Sequence, residues 1–304
     1  MTARTPLDDL RREIDQIDDA IHDLLMRRAA VVERIGTVKG TLPAAVQAAG
    51  TGHAVFLRPA REATILRRLM ARHSGSFPAQ AVVRIWREMI TAFTRLQGPF
   101  AVAVYAPEDR RGFWDVARDH FGSFVPMTAV NTPAAALRAV SDGTATVAVV
   151  PYPADDDSDP WWRFLVSSDV SRPQVVARLP FGGRGNGRGE NRDALAIAAV
   201  PHEPTGDDRS LLSIEIGGDF SRGRLKDMLE SCGLPPVSFC TWHPAGHATS
   251  PSGSAHGGPS VHLVEIADFV GHGDPRLAAL AERSGEIPLR VNLVGGYAVP
   301  LHLG

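Results

Sequence analysis

From Leu10 the apolar positions fall at Leu10, Ile14, Ile17, Ile21, Leu24, Val31 and Ile35. Steps of three, four and seven keep them on one stripe of an α-helix. A helix over residues 8–39 is about 48 Å long at 1.5 Å per residue, more than one small core can cover. Helices of that length pair with a hairpin partner or with a helix from a second chain. Residues 40–57 break the pattern and read as a loop. A second helix starts at Pro59, a residue suited to the first helical turn, with Ile65, Leu66, Leu69 and Met70 on one face. A third starts near Pro78 and carries the stripe Val82, Trp86, Met89, Phe93 and Leu96. Three helices therefore occupy residues 1–98.

After Pro99 the period changes. Phe100–Tyr105 is an apolar run of strand length, followed by a helix over Phe113–Phe121, a strand over Val125–Val130, a helix over Pro133–Val140 and a strand over Thr146–Val150. This βαβαβ order predicts a parallel or mixed sheet covered by helices. An acidic loop (Asp155–Asp159) and a glycine-arginine loop (Gly182–Gly189) precede a strand over Leu195–Val200. The last hundred residues read β (Leu211–Ile216), α (Arg222–Ser231), β (Val237–Trp242), a Gly, Ser, Pro and His loop over 244–259, β (Val261–Ile266), α (Pro275–Arg283), β (Leu289–Val294). βαββαβ is the split order of a ferredoxin-like α+β sandwich. The expected organisation is three units: all-α over 1–98, α/β over 99–205 and α+β over 206–304.

Composition narrows the class. The chain has 304 residues, 44% hydrophobic, with a formal net charge of −2, which excludes disorder as the main state. Nothing reaches the roughly 18 consecutive apolar residues of a membrane helix, and the first residues lack an apolar signal core. A cytoplasmic protein without membrane contact is the expectation. Cys232 and Cys240 form no disulfide framework. Residues 1–98 hold 14 Arg and one Lys against ten Asp and Glu, so the helical third is basic while the remainder is acidic. That balance suits a small anionic ligand. Lys39 and Lys226 are the two lysines against 30 Arg, and a rare lysine marks a place for a compact point charge.

The informative anomaly is charge on apolar faces of the helices. Arg28 sits at Leu24+4 and Val31−3, on the seam. Lys39 follows it by eleven residues, three turns plus about 20°, and so shares its face. Arg11 precedes Arg28 by seventeen residues and points about 100° away, so it serves the same pocket only if a partner helix brings in its own copy. Gln97 lies four past Phe93, and Glu62 begins the second helix on the face of Ile65, Leu66 and Leu69. Buried cations without enough carboxylates are costly. A dianionic ligand resolves that cost; the alternative is snorkelling to the rim or an Arg28–Glu62 bridge.

The pattern Pro6-Leu7-x-x-Leu10-Arg11, Arg28, Lys39, Arg58-Pro59-x-Arg61-Glu62 and Gln97 resembles the all-helical chorismate mutases over about the first 98 residues. The resemblance implies an intertwined homodimer whose pockets each take one arginine from the other chain. It implies that Arg11 in trans, Arg28 and Arg61 grip the carboxylates of chorismate, that Lys39 and Gln97 donate to its ether oxygen, and that Glu62 holds the ring hydroxyl. The reaction is the rearrangement of chorismate to prephenate, which needs no nucleophile, metal or other cofactor. Arg58 stands where the family carries an acid, and Phe93 stands near a position where it carries a small hydroxyl.

The C-terminal unit resembles an ACT domain on Leu211-Leu212-Ser213-Ile214, Gly223–Leu229, Val261–Ile266 and Val294-Gly295-Gly296-Tyr297, which implies an aromatic amino acid as effector. Of the family's Glu-Ser-Arg-Pro, only the proline of Thr241-Trp242-His243-Pro244 is kept. The middle unit stands where a bifunctional mutase–dehydratase carries its dehydratase domain, but at half the usual length. Asp193-Ala194-Leu195 replaces the dehydratase Thr-Arg-Phe, and Pro153-Ala154-Asp155 replaces Glu-Asn-Ser. An inactive dehydratase-like unit is the expectation, with an active bifunctional enzyme and a non-catalytic ligand sensor or partner-binding subunit as alternatives. Cys240, His243, His247 and His256 are too irregularly spaced for a metal site. Arg184, Arg188 and Arg192 lack the interleaved aromatics of a nucleic-acid surface. Trp161-Trp162 reads as packed beneath the acidic loop.

Overall fold

The computed structural model describes residues 5–40, 56–155, 157, 159–166, 172–183, 185, 192–217, 220–243 and 260–303, with the side chain of Lys39 outside that set. Most of the 40–57 loop, much of 182–192 and all of 244–259, including His247 and His256, lie outside the described residues.

Three helices open the chain: α1 (Pro6–Gly40), α2 (Pro59–Ala71) and α3 (Ala79–Gln97). α1 is 35 residues long, and it packs on α3 through Leu25, Arg28, Ala29, Val32 and Gly36, a face offset from the heptad seam. The seam itself stays open: Leu10, Ile14, Ile17, Ile21, Leu24, Val31, Ile35 and Val38 are each 45–63% exposed. α2 begins with Pro59 and α3 follows Pro78, as the first-turn prolines predict.

β1 (Val102–Tyr105), α4 (Gly112–Phe121), β2 (Met127–Val130), α5 (Pro133–Ser141) and β3 (Val147–Pro151) follow in the anticipated order. β1 pairs in parallel with both β2 and β3. β4 (Gln174–Leu179) and β5 (Ala194–Ala198) then add antiparallel strands next to β3, so this part of the sheet is mixed. β4 has no counterpart in the sequence reading. It is a short run between Pro173 and Pro180, with Arg178 interrupting the apolar Val175, Val176, Ala177 and Leu179.

The remaining elements are β6 (Asp208–Ile216), α6 (Arg222–Ser231), β7 (Pro236–Trp242), β8 (Ser260–Ile266), α7 (Pro275–Arg283) and β9 (Leu289–Ala298). Their strands lie in the order β9-β6-β8-β7, each antiparallel to its neighbour. Leu225 and Leu229 of α6 and Leu280 of α7 cover one face through Leu212, Ile214, Ile216, Val264 and Ile266. The other face, with Leu211, Leu263 and Tyr297, packs on Trp161, Trp162 and Leu195. The period-2 alternation of β6 sends successive residues to these two cores.

All nine strands form one sheet, β2-β1-β3-β5-β4-β9-β6-β8-β7. The join is a parallel contact of β4 with β9 at Val175 and Gly295. Gly295 has φ +124, and a Cβ there would meet the backbone of Val175, so glycine is required for the two strands to approach. The helical part is fastened to this sheet through α2. Arg58 makes a bidentate pair with Glu203 at 2.9–3.2 Å, and Arg67 donates to Thr205 Oγ1, the Asp207 carbonyl and the Val299 carbonyl at 2.7–2.9 Å. Ala63 and Leu66 pack with Phe181, Ala298, Leu301 and Leu303.

Three histidines are held inside without a proton. His120 is buried in α4 beside the positive field of Arg87, which keeps its pKa well below the usual value. His202 lies against Phe269 and is pushed down to about 4 by burial. His262, between Thr241 Oγ1 at 2.9 Å and Ser260 Oγ at 3.0 Å, is lowered to about 4 for the same reason. A histidine with a depressed folded pKa binds its proton first in the unfolded chain, so stability is full above pH 6.5 and falls as pH drops toward 4. The urea midpoint is therefore lower at pH 5 than at pH 7, and a His202→Gln, His262→Gln double variant shows a shallower decline. An unchanged midpoint between the two pH values contradicts the buried neutral rings.

Candidate functional site

α1 and α3 bring two of the sequence-predicted residues together. The Arg28 guanidinium lies over the ring of Phe93, 4.2 Å from its centroid. One turn further along α3, Gln97 abuts α1 at Gly36, and its Nε2 donates to the Phe93 carbonyl at 3.2 Å. A Cβ at position 36 would stand 3.9 Å from Gln97 Cγ, ordinary van der Waals distance, which places the two residues side by side. Arg28 Nη1 is shut off from solvent with no hydrogen-bond partner. Burial draws the Arg28 pKa down, yet a guanidinium starts so high that it stays cationic. Among the described residues no carboxylate pairs with Arg28. The arrangement is a cation, an amide and an aromatic ring with donor capacity to spare, which is the chemistry of an anion receptor. Lys39 extends the same face of α1 by helical arithmetic, and its side chain lies outside the described residues.

The other predicted residues stand apart. Arg11 is exposed and lies about 26 Å up the helix from Arg28, at 1.5 Å per residue. Its nearest acid is Asp8 at 3.6 Å. Arg61 is exposed on α2. Glu62 is paired within the helical part. Its carboxylate accepts from Arg87 Nη1 at 2.8 Å, with side-chain exposures of 12% for Glu62 and 5% for Arg87. It is therefore paired with Arg87, and the alternative Arg28–Glu62 bridge is not formed. The cause is the anchoring of α2: the Arg58 and Arg67 bonds and the Leu66 contacts fix the roll of the helix, and that roll points Glu62 at α3.

Arg87 is the residue the sequence reading missed. It sits four past Val83 and three before Ile90, on the buried face of α3, so a charge in an apolar stripe was its signal. Desolvation pushes the Glu62 carboxyl up and the Arg87 guanidinium down, and their mutual attraction opposes both shifts. The Arg87 charge is also set over the Phe181 ring at 5.0 Å.

Two dehydratase-motif positions are engaged in ion pairs. Asp193 accepts from Arg178 Nη2 at 3.2 Å. Asp155 receives Arg222 at 2.5 and 2.8 Å and the Thr241 amide at 2.9 Å. Asp193 and Ala154 line a cleft of about 670 Å³ with Tyr105, Arg110, Tyr152 and Arg192, beyond the carboxyl ends of β1 and β3. No group of three or more possible metal ligands occurs among the described residues, which include Cys240 and His243. Burial pushes the Cys240 thiol up to about 11. Among the described residues no helix is long and apolar enough to cross a membrane.

Comparison with known proteins places this geometry in context. Residues 10–98 match the family model described as chorismate mutase type II. The chain is 33% identical over 157 residues to a bifunctional chorismate mutase/prephenate dehydratase of Pseudomonas aeruginosa, covering 50% of this chain and 40% of that protein. A protein of the same name from Stutzerimonas stutzeri is 32% identical over 155 residues, with the same coverage. The chain thus spans less than half the length of these relatives. A solved prephenate dehydratase from Streptococcus mutans aligns over 66% of this chain and 100% of its own, with 12% identity and a TM-score of 0.42.

Glu62→Gln tests what its carboxylate does. Breaking a buried pair leaves the partner charge uncompensated, at a cost of about 3–5 kcal/mol. Chemical denaturation of Glu62→Gln is expected to show a loss of that size, with a milder loss for Glu62→Gln combined with Arg87→Met. Wild-type stability in the single variant contradicts the pairing.

Proposed function

We propose that the helical part catalyses the rearrangement of chorismate to prephenate between α1 and α3. The observation that carries the reading is the buried, partnerless Nη1 of Arg28, inside the segment matching the chorismate mutase model. A dianionic substrate supplies the missing acceptor. Arg28 and Arg61 bind its carboxylates, while Lys39 and Gln97 donate to the ether oxygen. The bond reorganisation is pericyclic, so the protein moves no proton and forms no covalent intermediate. Its contribution is to hold the compact conformer and to aim donors at charge developing on the ether oxygen. Glu62, held through Oε2 by Arg87, keeps Oε1 to accept from the ring hydroxyl.

The pocket is completed by a second copy of the chain. The open seam of α1 supports this: a stripe of large apolar side chains along a helix about 52 Å long is the surface a partner helix covers. In an antiparallel pair of α1 helices related by a two-fold axis, Arg11 of one copy meets Arg28 of the other when the axis passes between residues 19 and 20. Ile17 and Ile21 flank that point and are both exposed.

The region over 99–205 is read as a dehydratase-like unit without dehydratase activity. Asp193 at the position of the family's threonine supports this, since a carboxylate tied to Arg178 cannot assist departure of a hydroxyl as a threonine does. The unit over 206–304 is read as a ferredoxin-like ACT module, supported by its βαββαβ order and the strand arrangement β9-β6-β8-β7. An aromatic amino acid is its effector class.

The primary test follows loss of chorismate absorbance, with and without phenylalanine or tyrosine, and assays phenylpyruvate formation from prephenate alongside. Chorismate turnover without phenylpyruvate formation is the expected result. Phenylpyruvate formation would establish the bifunctional enzyme, and chorismate binding without turnover would establish a sensor. Arg28→Ala or Lys39→Ala is expected to lower kcat/KM by about 10²–10³-fold, the scale of removing one oriented donor. Mixing Arg11→Ala chains with Arg28→Ala chains restores part of the activity, because one of the two mixed pockets is intact. No recovery after demonstrated subunit exchange rules out the shared pocket.

A further inference from the structure

A half-buried guanidinium with no acid beside it among the described residues needs something else to hold it. In this chain that support is the ring of Phe93, 9% exposed and 4.2 Å from Arg28 Cζ. We infer that Phe93 is a positioning residue for the anion site, holding Arg28 through its π face; this rests on the function proposed above.

The choice of an aromatic support has a chemical consequence. A carboxylate at that place would take two of the five N–H groups and cancel the charge on which anion binding depends. The quadrupole of a ring attracts the cation without adding net charge and without saturating the donors. Arg28 keeps Nη1 unpaired as a result, in a setting shielded from water where its interaction with an anion is strong. The same residue sets the second donor. Its carbonyl accepts one N–H of the Gln97 amide at 3.2 Å, which fixes the amide plane and leaves a second N–H to donate. Phe93 is held in turn by burial on α3, whose neighbouring Thr94 is tied to the Ile90 carbonyl at 3.0 Å. One residue that touches no substrate thus orients a cation by its ring, while its backbone carbonyl orients an amide.

The test uses the full-length chain and its Phe93→Leu, Phe93→Tyr and Phe93→Trp variants. Leucine keeps an apolar buried group and removes the ring, while tyrosine and tryptophan keep a π face. Phe93→Leu is expected to weaken prephenate binding, measured calorimetrically, and to raise KM for chorismate, each about tenfold, the scale of a partly desolvated cation–π contact. The kcat value should change less than KM, and an aromatic variant should recover most of the loss. In an Arg28→Gln background Phe93→Leu should have no further effect on prephenate affinity, because the ring acts through Arg28. Equal affinity in wild type and Phe93→Leu overturns the inference, and so does equal loss in all three variants. A further readout is independent of activity: the Arg28 Nε–H resonance is shifted by the ring current in wild type and moves back in Phe93→Leu. If wild type neither binds prephenate nor turns over chorismate, the proposed function fails, and an unshifted Arg28 resonance then removes the ring contact as well.

Discussion

The helical part turns on a half-buried guanidinium that meets no acid among the described residues. Two arginines on the helical faces make the contrast plain. Arg87, on α3, is enclosed and answered by Glu62 at 2.8 Å, so its charge is spent within the fold. Arg28, on α1, is drawn into the α1–α3 interface, where among the described residues it meets the face of Phe93 and no acid. Leaving such a cation half-desolvated costs stability. A bound dianion returns that cost, which links affinity to the fold.

The same helix that carries this cation turns a second face outward. Apart from Arg28, the residues of α1 that meet α3 are not those of its heptad seam, and the seam's large apolar side chains are left bare along the length of the helix. One chain therefore satisfies only half of α1. On the opposite side α2 belongs as much to the sheet as to the helices, because Arg58, Arg67 and Leu66 tie it to residues between 181 and 303. That attachment points Glu62 at Arg87 of α3.

What could be read from the chain beforehand follows the range of the interactions involved. α1, α2 and α3 were legible because helical periodicity and first-turn prolines act within a few residues. The βαββαβ order of the last hundred residues was legible for the same reason. Arg28 stood out because a charge interrupts a regular apolar stripe. Arg87 carried the same signal and was passed over, since Trp86 beside it accounts for the stripe equally well. The roll of α2 was not legible: it depends on partners up to 232 residues away, as with Arg67 and Val299. Nor was the single nine-stranded sheet, because its join pairs Val175 with Gly295 across 120 positions of sequence. β4 escaped notice because a sheet neighbour, rather than its own pattern, makes it a strand.

The most direct measurement is the thermal unfolding midpoint of the chain and of its Arg28→Met variant, each with and without saturating prephenate. An anion that completes the Arg28 site raises the wild-type midpoint by several degrees, about 1–2 kcal/mol or more at saturation, and leaves Arg28→Met unmoved. A midpoint in wild type indifferent to prephenate, or an equal rise in both proteins, would contradict a cation held in reserve for a doubly charged guest.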